Sequence, residues 1–304
     1  MILLEVENKT LFNGAIYTGN IENNLPHGYG VYETKNIKYV GYFKDGAFDL
    51  FGNLTDKVIK YTYVGEFKNG MKNGYGRLIF DDGKYFEGIF ENNMCNDFGY
   101  MEHADKEKYV GEFKNNKSDG SGTVYYSNGN IFTGSFKDDK ENGLGVIMEK
   151  DNNSYGIKVE YNNGYTLIHG QIKLTSELNT HMVYRIVDNS DYRFYGMIDK
   201  YSSFIKGICH YKNHEKFSTF VGNFTDEFRN GVLFFKNNDI FKGFFENNEL
   251  TGKGEYIILG KGSYIGEFID GKKNGDFTFI DYNGNKYHHK YNMDELIQVR
   301  EEVQ

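Results

Sequence analysis

Tyr63-Val64-Gly65-Glu66-Phe67-Lys68-Asn69-Gly70-Met71-Lys72-Asn73-Gly74-Tyr75-Gly76-Arg77-Leu78-Ile79-Phe80-Asp81-Asp82-Gly83 is the stretch whose reading decides the fold. Side chains alternate along an extended strand, so Tyr63, Gly65 and Phe67 share one face while Val64, Glu66 and Lys68 take the other. Asn69-Gly70 supplies two residue types that tolerate positive φ, which reads as a hairpin turn. On the return strand Gly74, Gly76, Leu78 and Phe80 again share a face. Asp82-Gly83, like Asn128-Gly129 and Asn283-Gly284, then turns the chain into the next unit. Glycines beside aromatics on one face leave a flat trough where a ring can lie across the backbone, burying on the order of 150–250 Å² per ring. That burial offsets the weakening glycine ordinarily brings to a strand.

The frame repeats along the chain. It recurs at Tyr17/Gly19/Ile21, Tyr39/Gly41/Phe43, Phe86/Gly88/Phe90, Tyr109/Gly111/Phe113, Phe132/Gly134/Phe136, Phe194/Gly196/Ile198, Phe220/Gly222/Phe224, Phe241/Gly243/Phe245 and Tyr264/Gly266/Phe268, with a degenerate copy at Ile157/Val159/Tyr161. Leu50, Ile168, Leu233 and Phe277 stand where second-half glycines are expected. One hairpin is marginal alone, so neighbours must stack. The spacing therefore predicts an all-β protein: an elongated, single-layer, twisted antiparallel sheet of about eleven stacked hairpins, a rod of roughly 100 Å. Residues 1–148 read as a regular array, 149–219 as degenerate repeats with an insertion, and 220–291 as C-terminal repeats. Residues 292–304 change period: Asn292 and Glu295 form a start resembling a capping box, and Met293, Leu296, Ile297 and Val303 can share a stripe. A short C-terminal helix covering the last sheet edge is expected there.

The unit resembles the MORN repeat, whose pattern is Tyr-x-Gly-x-Trp/Phe-x-Asn-Gly-x-x-x-Gly-x-Gly. The likeness spans most of residues 17–280, with Phe where the family often has Trp. Carried over position by position, the repeat-forming residues are Tyr63, Gly65, Phe67, Gly74 and Gly76, then Tyr109, Gly111 and Phe113, then Tyr264, Gly266 and Phe268. The resemblance implies a non-catalytic scaffold that holds other proteins at the cytoskeleton, a cilium or a membrane-associated structure. A phospholipid-binding, membrane-tethering module is the alternative it offers, and a homodimer is compatible with either.

Composition narrows the partners. Thirty-seven Gly with one Pro exclude collagen-like and proline-rich chains, and 26 Tyr with 26 Phe supply the burial that disordered chains lack. The net charge of −8 opposes a nucleic-acid partner and makes direct lipid binding weak or absent. Cys95 and Cys209, far apart, do not read as a disulfide framework. Met1-Ile2-Leu3-Leu4-Glu5 lacks the basic segment of a signal peptide, so a cytoplasmic protein is expected.

No motif for chemistry stands out, so neither an enzyme nor a cofactor is expected. Gly254–Gly262 misses the phosphate-loop spacing. Cys209, His210 and His214, and the pair His288-His289, lack the geometry of a metal set and read as solvated side chains. Outward charges such as Glu66 and Lys68 also read as solvated, with Glu66→Ala nearly silent. The 37-residue step from Val159 to Gly196 holds an insertion around Leu174 to Asp188. Long loops on a rigid scaffold often carry binding. Tyr184, Arg185, Tyr192, Arg193 and Tyr195, residue types that dominate interfaces, are therefore the candidate partner contacts.

Overall fold

The computed structural model describes residues 4–150, 155–162, 165–173, 183–199, 201, 203–224, 229–246, 249–258, 261–281 and 285–301. Every regular element among them is a β-strand, and every pairing is antiparallel between chain neighbours. Fifteen strands, β1 (Leu4–Thr10) to β15 (Tyr165–Lys173), form one open sheet, and eleven more, β16 (Val183–Asp188) to β26 (Glu295–Glu301), form a second. The change of sheet falls between Lys173 and Val183; most of the insertion read from the sequence, 174–182, lies outside the described residues, as does Asn283-Gly284.

The hairpin frame has the expected register. Gly65 on β6 (Tyr61–Lys68) pairs with Gly76 on β7 (Met71–Phe80), and Gly76 pairs with Gly88 on the next strand. This pairing continues without a break from Gly19 to Gly145, so a line of glycines crosses the first sheet; a second runs from Gly196 to Gly266. A register shift follows the glycine in hairpin after hairpin, as between Gly65 and Phe67 and between Gly111 and Phe113. Such bulges bend and twist a strand. The turns use positive φ at both central residues, as at Asn69-Gly70, Asn92-Asn93 and Asn115-Asn116, which matches the twist of the flanking strands.

Rings fill the glycine troughs. A Cβ on Gly76 would lie 2.3 Å from the Tyr63 hydroxyl oxygen, and one on Gly65 would lie 2.5 Å from both that atom and the Gly76 Cα. In the regular hairpins the lead ring sits edge-on between two phenylalanines: Tyr63 is 5.1 Å from Phe67 of its own hairpin and 5.1 Å from Phe90 of the next. Phe86 and Tyr109 repeat the arrangement with Phe90, Phe113 and Phe136. Edge-to-face pairs of this kind are attractive beyond their buried area. In four hairpins of the first sheet the lead tyrosine donates its hydroxyl to the carbonyl three residues on: Tyr17 to Asn20, Tyr39 to Tyr42, Tyr63 to Glu66, Tyr109 to Glu112. The degenerate copy continues the ladder, with Val159 buried opposite Gly145 and Tyr161 edge-on to Phe132.

Two expectations are corrected. The array is not a single layer: the second sheet doubles back and lies on the outward face of the first. Contacts begin where β16 meets Thr123, Tyr125 and Thr133. They end where Tyr42 on β4 (Ile37–Lys44) donates to the Ile258 carbonyl on β22 (Glu249–Ile258). The cause lies in the outward positions, which carry Tyr75, Phe98, Tyr100 and Val110 on one sheet and Tyr184, Tyr195, Ile208 and Val221 on the other; these form one buried apolar cluster. An apolar outer face needs a cover, and the second half of the chain provides it.

Nor is there a C-terminal helix. Residues 286–301 form a hairpin, β25 (Lys286–Asn292) with β26, turned at Met293 (φ 47) and Asp294 (φ 73). The open edge of the preceding strand templates a further hairpin, and Lys273 donates its backbone N–H to Asp294 at 2.8 Å, which locks the turn. Tertiary pairing overrides the local helical stripe. Leu233 also shifts role: it pairs with Phe220, and the trough glycine of that hairpin is Gly231.

Candidate functional site

The groups with the most chemical potential meet in the seam between the sheets. Glu87, fully buried on β8 (Tyr85–Glu91), accepts hydrogen bonds from the hydroxyls of Tyr75 and Tyr85 and from Arg77 Nε at 2.7 Å. His210 of the second sheet reaches it with Nε2 at 3.0 Å. The Arg77 guanidinium can only donate and lies 3.1 Å from His210 Nδ1, so Nδ1 accepts and Nε2–H donates to Glu87. Thr219 closes the network, 2.9 Å from His210 Nδ1 and 3.2 Å from Arg77. Burial alone would raise the Glu87 carboxyl, but His210, Arg77 and Tyr75 outweigh it and hold the group down at about 2. All four partners aim at one carboxylate with no face left for a substrate. The cluster is a bolt between sheets.

Most of the predicted partner contacts sit in the same seam. Tyr184 is buried, stacked on Phe98 with centroids 5.7 Å apart, and its carbonyl accepts from Thr123. Tyr195 stacks on Tyr100 at 4.0 Å, and Arg185 donates to Thr133 at 3.1 Å. Tyr192 instead meets Phe204 edge-on, and Arg193 pairs with Asp188 at 2.6 Å. The partner that Tyr184, Arg185 and Tyr195 meet is the chain's own first sheet.

The structure brings together Tyr63, Gly65, Phe67 and Gly76, and likewise Tyr109, Gly111 and Phe113, whereas Gly74, at φ +91, faces Glu66 and not the Tyr63 ring. In the Tyr264 hairpin the roles move. Phe277 faces Gly266 and fills its trough, 5.2 Å from Phe268, while Tyr264 is only half-buried and stacks on Phe279 at 4.5 Å. Glu66 is not solvated. Its side chain is 16% exposed, accepts from the Tyr75 backbone N–H at 3.1 Å and pairs with Lys242 of the second sheet. Glu112 braces the Ser121 N–H in the same way and reaches Tyr184. Alternation alone assigns these residues outward; a covered outer face is the signal that reading missed, and the apolar Tyr75, Tyr100 and Val110 on it could have supplied that signal.

The remaining candidates are structural. His214 stacks on Phe217 at 4.1 Å, beside an open groove of about 760 Å³ lined by Phe235, Leu250 and Tyr256. His289 lies among Tyr264, Phe279 and Tyr291. Burial pushes both the Cys95 and Cys209 thiols up to about 12. Gly254 and Gly262 sit on paired strands of one hairpin, with Gly260 outside the described residues. Exposed apolar side chains gather on the last hairpin, at Met293, Leu296, Ile297 and Val299, and at two turns, at Phe12 and at Val58-Ile59. Among the described residues no strand pairs with the outer edge of β26.

A comparison with curated proteins returns no match. The MORN repeat family model matches six stretches, residues 17–36, 63–85, 109–131, 132–148, 241–258 and 264–275. Each matched stretch takes in both strands of one hairpin, in whole or in part, and the first five contain a lead ring with its glycine pair. The chain is a MORN-repeat protein.

Proposed function

We propose that this protein is a non-catalytic scaffold that holds other proteins. The observation that carries the reading is the open edge of β26. Among the described residues no strand pairs with this edge, and a strand edge that bears exposed Leu296, Ile297 and Val299 accepts an added strand, a recognised mode of protein recognition. The chemically capable groups point the same way, since Glu87, His210 and both cysteines are absorbed into packing. A position at the cytoskeleton, a cilium or a membrane-associated structure, within the cytoplasm, belongs to the proposal through the family resemblance.

Proximity labelling in the native cell, with the wild-type chain and with Ile297→Pro, tests it. Loss of a defined subset of labelled proteins in the variant, with the fold intact by circular dichroism, is expected. An identical protein set from both would remove the edge as the docking element.

One observation favours the second reading, a lipid-binding module. Val58 and Ile59 project from a turn flanked by Lys57 and Lys60, the pattern of an apolar tip with basic neighbours. Lys57 already pairs with Glu33 at 3.1 Å, which weakens it. Flotation with phosphoinositide-rich vesicles at about 150 mM salt should give little binding; strong, salt-sensitive flotation lost in Val58→Asp would promote the lipid reading.

A further inference from the structure

We propose that Glu22, His27 and Asp45 form a site for one divalent transition ion of the zinc class, bridging the turns of two successive hairpins. Glu22 ends β2 (Ile16–Glu22), and Asn23-Asn24, both at positive φ, turn the chain into β3 (Leu25–Glu33), which carries His27. Asp45 opens the turn between β4 and β5 (Ala47–Asp56). Gly46 donates its backbone N–H to the Pro26 carbonyl at 2.8 Å, which holds the second turn beside the imidazole. His27 Nδ1 lies 3.2 Å from a Glu22 carboxylate oxygen and 3.8 Å from one of Asp45, and one ligand atom from each of the three falls within 4.8 Å of the others.

The nitrogen at the centre is the telling atom. It is buried from solvent and has no hydrogen-bond partner. The repeat permits a direct comparison with positions that occupy the same place in other hairpins. Asn96 accepts from the Asn115 backbone N–H at 3.0 Å, Asn274 from that of Met293 at 3.4 Å, and Asp119 takes the Lys137 ammonium at 2.6 Å. The place of Glu22 is filled by Lys44, Lys68, Lys114 and Lys137 in four other hairpins and by Glu91 and Glu246 in two more. What sets this hairpin apart is the combination: a carboxylate at that place, a second carboxylate from the next turn, and a buried imidazole nitrogen that faces both. Two carboxylates and an imidazole nitrogen converging on one point suit a cation between them.

The chemistry of the set selects the ion. Imidazole nitrogen suits zinc, copper, iron and nickel, and carboxylates suit harder ions, so a mixed N,O,O set is one that zinc accepts. Two ligands about 2.05 Å from a tetrahedral zinc stand ~3.3 Å apart, which the Glu22–His27 separation already matches. Asp45 is largely exposed and free to close the remaining gap. A water or a side chain from a bound protein would complete the coordination. The ion would act as a staple between neighbouring repeats, whose stability in such arrays depends on neighbour contacts.

The test is titration of the metal-stripped full chain with Zn²⁺ by calorimetry and with Co²⁺ by absorption. One ion per chain is expected, with the intense visible bands of four-coordinate Co²⁺, affinity falling at least ~10-fold in His27→Gln and in Glu22→Gln, and weaker uptake at acid pH as protons compete for the ligands. His288→Gln with His289→Gln should leave binding unchanged. Absence of saturable uptake means that a proton alone occupies the site and overturns the proposal. Unchanged uptake in Glu22→Gln, the variant that decides if His27→Gln fails to fold, overturns it too.

Discussion

At Gly65 one methyl group decides whether the ring of Tyr63 can lie flat. A Cβ there would stand 2.5 Å from the Gly76 Cα, backbone that cannot move aside, and the same holds at Gly111 against Gly122 at 2.6 Å. Gly65→Val and Gly111→Val should each cost roughly 1–3 kcal/mol in urea unfolding; unchanged midpoints would refute the trough. These glycines were legible because alternation places them beside the aromatics. Glu66 was not, because alternation says which face a side chain takes and nothing of what covers that face. With Tyr75 and Lys242 as partners, Glu66→Ala should destabilise by about 1–3 kcal/mol, whereas Glu91→Ala, exposed at a turn, should be near silent. Equal effects would contradict the seam. The cysteines offer a third check: with both thiols raised by burial, iodoacetamide at pH 8 should label them only after unfolding. Prompt labelling of the native chain would show that they are not buried.

The hairpin is the element the sequence describes best, because its turn, its glycine pair and its ring are all local. Asn92-Asn93 and Asp138-Asp139 are turns for a reason visible in residue type alone. Residues 292–301 were misread because Met293, Leu296 and Ile297 fit a helical stripe as well as a hairpin, and only the open edge beside them favours the strand. The Glu87 network bridges one sheet to the other, and its pH response follows. A carboxyl held below its ordinary value of 4.5 adds stability that is fully present above that value and is lost as pH falls toward 2. The urea midpoint should therefore drop between pH 5 and pH 3 by more in the wild type than in Glu87→Gln. Parallel declines would show that Glu87 carries no such linkage.

At the scale of the whole molecule, the antiparallel order of the eleven hairpins with the frame was readable from period, and the further hairpin at 286–301 and the doubling-back were not. It depends on side chains some sixty to two hundred residues apart in sequence, such as Thr123 with Tyr184 and Tyr42 with Ile258, which no local pattern connects. The two arrays run in opposite directions across the seam, so that β16 lies on the tenth to twelfth strands and β22 reaches back to β4. In this arrangement the apolar residues of the last hairpin are exposed, and the candidate partner residues Tyr184 and Tyr195 turn inward. The central claim is that a chain built for a long single layer instead closes on itself. Small-angle X-ray scattering measures this directly. Fifteen strands at ~4.8 Å span roughly 70 Å, whereas all 26 laid out in one layer would span roughly 125 Å. A maximum dimension near the first value is predicted, and one approaching the second would contradict the account.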